Sequence, residues 1–221
     1  MPRARTLLGL VFILLPLALP LTGCMVLQTS FRLTSEDAAP DAPNRATLAP
    51  DLRTTAAVWQ DTNTVDLYLT DLPRAALDPT APLDGITGNI VHIHMFLAPR
   101  AGRTPIEDTA QTATVRHLVL SRGLAGVYAG GGFLQPRTSF ARDRFAGTMN
   151  AGTARLIAAD PGFVDALGPA RIDTEVLARR DPRTARLIAA RLETILARTP
   201  RIERDDPEQE PPAADASPAS P

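Results

Sequence analysis

Ile90-Val91-His92-Ile93-His94-Met95-Phe96-Leu97 is the stretch that decides how the folded part of this chain is built. Val91, Ile93, Met95 and Leu97 are all apolar, and two of the chain's three histidines stand between them. An extended backbone sends alternate side chains to opposite faces. The stretch therefore predicts a strand whose Val91, Ile93, Met95 and Leu97 face looks into a core. His92 and His94 share the other face, about 6.6 Å apart along the backbone, with Ile90 and Phe96 flanking them.

Short extended segments with turn signals lie on both sides. Ala56 to Gln60 and Val65 to Thr70 flank Asp61-Thr62-Asn63, which predicts a hairpin. Asp84-Gly85 and Gly88-Asn89 punctuate the chain before Ile90. Thr112 to Ser121 and Gly126 to Leu134 predict two more strands. Phe145 to Met149 and Thr153 to Ala158 flank Asn150-Ala151-Gly152, the pattern of a three-residue hairpin loop with glycine at a positive φ. Arg171 to Ala178 is the last strand. Roughly seven or eight strands at this spacing predict a mainly β domain, an antiparallel sandwich or barrel, over residues 53–199.

Asp181 to Arg198 breaks the alternation. Asp181 suits an N-cap and Pro182 a first helical turn. Leu187, Ile188, Leu192, Ile195 and Leu196 recur on one face at helical spacing, and Arg183, Arg186, Arg191 and Arg198 lie largely elsewhere. This predicts one C-terminal amphipathic helix over about 181–198, packed on the sheet with its polar face in solvent. Thr104-Pro105-Ile106-Glu107 fits a capping box and predicts one helical turn between the two histidine-bearing strands.

The N-terminus reads MPRARTLLGLVFILLPLALPLTGC. Arg3 and Arg5 precede an apolar run from Leu7 to Leu21, which is shorter than the roughly 20 residues a spanning helix needs. Pro16 and Pro20 also oppose a permanent membrane helix. The pattern is that of a secretory signal peptide. Leu21-Thr22-Gly23-Cys24 resembles the lipobox of bacterial lipoproteins. The resemblance implies that residues 1–23 are a signal peptide removed by a dedicated peptidase, and that a diacylglyceryl group is carried on Cys24. It implies a partner, the membrane, and a place, the bacterial cell envelope. Met25 rather than aspartate after the cysteine is similar to the pattern for outer-membrane delivery. Pro40, Pro43 and Pro50 mark residues 24–52 as a tether, and the acidic, Pro/Ala-rich residues 200–221 read as a disordered tail.

Composition narrows the function classes. Without residues 1–23 the net charge is near −3, which argues against nucleic acid as a partner. Every basic residue is arginine. Cys24 is the sole cysteine, so no disulfide within the chain is possible and stability must come from an apolar core. One tryptophan and two tyrosines are a poor inventory for sugar stacking.

The histidines are the candidate chemistry. His117 sits in Ala113-Thr114-Val115-Arg116-His117-Leu118-Val119, a strand expected to return beside the first. Three imidazoles on adjacent strands could bind Zn²⁺ and leave a position open for a water activated near pKa 7. His-x-His, then twenty-two residues, then His is similar to the zinc-ligand spacing of the alpha-class carbonic anhydrases. That resemblance implies His92, His94 and His117 as metal ligands. It covers three positions, and no Thr-Thr-Pro-Pro-like segment follows. The other reading is polar side chains on a half-covered strand face, with no cofactor. Gly130-Gly131-Gly132 is followed by Phe133-Leu134-Gln135-Pro136 and not by a helix start, so it predicts a bulge or close backbone approach, not a phosphate loop. No Gly-x-Ser-x-Gly occurs. The expectation is a lipid-anchored structural or binding module without a complete catalytic set, the alternative being a zinc-dependent hydrolase or hydratase.

Overall fold

The computed structural model describes residues 29–36, 46–99, 110–137 and 143–202. It is mainly β, a ten-stranded sheet with one C-terminal helix. In chain order the strands are β1 (Ser30–Ser35), β2 (Thr47–Leu48), β3 (Thr54–Trp59), β4 (Val65–Thr70), β5 (Gly88–Met95), β6 (Ala113–Ser121), β7 (Leu124–Gly132), β8 (Leu134–Pro136), β9 (Arg144–Ala159) and β10 (Ala170–Arg180). Helix α1 is Pro182–Arg198.

β3 to β7 form an antiparallel meander, each strand pairing with its predecessor, with short connections between β3 and β4 and between β6 and β7 and 17-residue connections before β5 and before β6. The β3–β4 turn is the expected hairpin: Asp61 Oδ1 accepts from the Asn63 and Thr64 amides at 2.6 and 2.8 Å. β7 pairs with the second half of β9, β9 pairs with β10, and the end of β10 lies parallel to β3 at Arg179–Ala56 and Arg180–Ala57. The circuit β3-β4-β5-β6-β7-β9-β10 therefore closes on itself as a barrel, and β1, with β2 beside it, precedes β3 along the same edge of β10. Where β10 passes from β1 to β3, threonines replace ladder bonds. Thr29 Oγ1 and Thr55 Oγ1 both donate to the Leu177 carbonyl at 3.0 Å.

Two apolar layers result. The barrel interior holds Phe31, Leu33, Leu67, Val91, Ile93, Met95, Phe145 and Met149 among others. On the outside, Ile188, Leu192 and Ile195 of α1 cover Ile90, Leu118, Leu120 and Val127. The β5 faces are those read from its alternation, except that Leu97 lies beyond the strand and is exposed.

Four expectations are corrected. Residues 24–52 are not a tether throughout: β1 pairs with β10 from Ser30–Glu175 to Ser35–Ala170. Phe31 and Leu33 are buried between exposed Ser30 and Arg32, a period-two pattern hidden in proline-flanked sequence. Asn150-Ala151-Gly152 is not a turn, because β9 runs unbroken for 16 residues. Asn150 and Ala151 together oppose Asp173, a bulge with Ala151 at φ 60° that bends β9 from one partner set to the next. Arg191 is 2% exposed and not on the solvated face, since it lies on the same 188–192–195 stripe and its Nη1 donates to the Pro79 carbonyl. The tail does not begin free either: Pro200 and Ile202 bond to Ala159 and Ile157 of β9. Residues 203–221, the capping-box segment at 104–107 and Cys24 lie outside the described residues.

Asp181 caps α1 as its sequence predicts, accepting from the Arg183 and Thr184 amides. The glycine run on β7 is the close approach expected of it. A Cβ on Gly130 would overlap the Thr153 carbonyl, so the neighbouring strand can come no nearer a larger residue.

Candidate functional site

The β4–β5 register sets Asp66 opposite His94 and Tyr68 opposite His92 on the outer face of the barrel. Asp66 is 8% exposed. Its Oδ1 lies 2.9 Å from His92 Nε2 and 2.8 Å from His94 Nδ1, and its Oδ2 accepts from Gln60 Nε2 at 2.6 Å. An ionised carboxylate only accepts, so both imidazoles donate. Burial pushes the Asp66 carboxyl up, but the bonds from His92, His94 and Gln60 outweigh it and hold the group at about 2. Tyr68 stacks flat on His92 with ring centroids 4.5 Å apart. Its phenol is pushed up to about 12, first by burial and then by the charges of Asp66 and Glu193.

His117 is elsewhere. It pairs with Val91, whose side chain points inward, so the imidazole lies inside the barrel while His92 and His94 lie outside. Its Nε2 meets Asn89 Oδ1 at 3.0 Å, and the Phe31 ring stands edge-on to it at 5.0 Å. Asn89 is held in turn by Asp71, which accepts from Asn89 Nδ2 at 2.7 Å. That bond turns the Asn89 carbonyl oxygen towards the imidazole, so His117 carries its proton on Nε2. Nδ1 is buried with no partner among the described residues. Burial lowers the His117 pKa to about 3, so the ring is neutral.

The three histidines therefore do not share a point, and the expected zinc set of His92, His94 and His117 is overturned by strand parity. Two of its members come together, but around a carboxylate and not around an open position. Among the described residues no group of three or more His, Cys, Asp or Glu side chains is arranged to hold a metal ion.

A feature the sequence did not reveal is a cavity of about 350 Å³ at one end of the barrel. Leu48, Val119, Leu124, Tyr128, Phe163 and Leu167 form most of its wall, and among the described residues no charged side chain lines it. The β9–β10 loop over it is tied at three places. Ala125 N donates to Asp160 Oδ2 at 2.8 Å, the outer edge of the Phe163 ring sits against Gly126 where a Cβ would overlap it, and Tyr128 Oη donates to Asp165 Oδ1 at 2.7 Å. Asp165 Oδ1 also accepts from the Leu167 and Gly168 amides. These residues are far apart in the chain, and singly each reads as ordinary core or loop.

No protein-family model, no curated protein and no solved structure matches the chain.

Proposed function

We propose that this chain is a lipid-anchored protein of the bacterial cell envelope, held to the membrane by acyl chains on Cys24, with the barrel as its structural or binding module. The observation that carries the proposal is Leu21-Thr22-Gly23-Cys24 at the end of a basic-then-apolar leader, with Cys24 the sole thiol. Each buried methylene contributes about 0.8 kcal/mol and one chain binds only marginally, so two or three chains on Cys24 suffice for stable anchoring. No helix among the described residues is long and apolar enough to cross a membrane. Outer-membrane delivery belongs to the same proposal and rests on Met25 alone.

Growth of an expressing bacterium with a clickable palmitate analogue tests the anchor. The protein is expected to label, and Cys24→Ala to abolish the label and the mass increment. An unlabelled wild-type protein in the soluble fraction overturns the proposal. The hydrolase alternative is not carried further, because its three ligands stand on opposite faces of one sheet.

A further inference from the structure

We infer that the cavity at the barrel end is a binding site for the hydrocarbon chain of an uncharged, single-tailed amphiphile. The inference deepens the binding role proposed above and rests on it only for where such a ligand would be met.

The cavity has a gradient of polarity. Its base is Tyr128 and Leu167, both buried, and the barrel core continues beneath it. Leu48, Val119 and Phe163 are half-buried walls that pack against that core. Thr47 and Ser121 set hydroxyls at the solvent edge, where both residues are exposed. Val164, 79% exposed, and Leu124 extend the apolar surface past the rim. A ligand that matches this gradient is apolar at its buried end, hydrogen-bonding where it emerges, and uncharged within.

Charge complementarity excludes the common alternatives. A phosphate or carboxylate placed inside would lose its hydration and meet no cationic side chain among the described residues, and the one tyrosine hydroxyl in the wall is already given to Asp165. The size lies at the low end of small-molecule sites, and the end of a β-barrel is a usual place for one. The three ties on the β9–β10 loop hold the wall in place before a ligand arrives, which lowers the ordering cost of binding.

The test uses the mature chain from residue 24 with Cys24→Ser, so that no acyl group of its own competes and the outcome is independent of lipidation. Calorimetric titration with linear primary alkanols of about six to about twelve carbons should show saturable one-to-one binding. Affinity should rise about fourfold per added methylene until the cavity is filled, then level off. Val164→Asp, at a site exposed enough to leave folding untouched, should weaken binding about tenfold or more by setting a charge on the rim. Val119→Trp should block binding by filling the wall. No saturable binding at any length, no dependence on length, or equal affinity in Val164→Asp and the parent chain each overturns the inference. Failure of palmitate labelling at Cys24 leaves this result unchanged, so the two proposals fail separately.

Discussion

His117 and Asp66 are both buried titratable residues, and they bias stability towards higher pH for opposite reasons. The unfolded His117 takes up a proton below about 6.5, whereas the folded ring resists one down to about 3. Its stability contribution is therefore complete above 6.5 and is lost as pH falls between these values. His117→Gln keeps a donor for Asn89 but does not titrate. Urea unfolding from pH 7 to 4 should show the wild type losing up to about 1.4 kcal/mol per pH unit relative to the variant, the slope for one proton. Parallel curves would mean that the ring is charged in the fold. Asp66 has its pKa lowered from 3.8 to about 2, so its contribution holds above 3.8 and fades as pH falls through 2. Asp66→Asn is expected to cost roughly 2 kcal/mol at pH 7 and much less near pH 2, read by the same unfolding series. The His92–His94 pair was legible as a shared face because two residues on one strand have fixed parity. His117 was misassigned because its parity is set by a second strand. Its neighbours Val115 and Val119 carried the signal, since they place it in phase with the inward side of β6 while His92 is out of phase with Val91 and Ile93.

Elements were legible where local chemistry decides them. The Asp61 turn and the Asp181 cap each need one carboxylate reaching two or three residues ahead, and both are as their sequences predict. β9 was not legible, because Asn-Ala-Gly serves a turn or a bulge equally and only the long-range partner distinguishes them. In the barrel Gly152 lies opposite Ile172 of β10, and Ala151 takes the left-handed conformation in its place. That conformation strains a residue with a Cβ. Ala151→Gly is expected to stabilise the protein by about 0.5–1 kcal/mol, and Ala151→Val to destabilise it, as read by thermal melts. Equal melting of both variants would mean that the bulge does not hold its φ.

For the whole molecule, closure is the property that composition could not reveal. A sandwich and a barrel share the same alternating strands, and the choice here is made by β10, which serves β9 along one edge and β1 then β3 along the other. It also makes the N-terminal segment part of the core. Phe31→Ala is expected to cost about 3–5 kcal/mol in urea unfolding, a loss no tether residue could produce.

The early start of β1 also shortens the leash. Only five Cα steps separate Cys24 from Thr29, a span of roughly 18 Å at full stretch. Were Cys24 acylated as proposed, the barrel would be held within that span of the lipid headgroups. β1 enters at Ser30, while the cavity edge at Ala46 bonds to Ser35, about 17 Å further along the strand. If the proposed anchor on Cys24 and the proposed ligand site both hold, the site lies at the end of β1 far from the anchored residue.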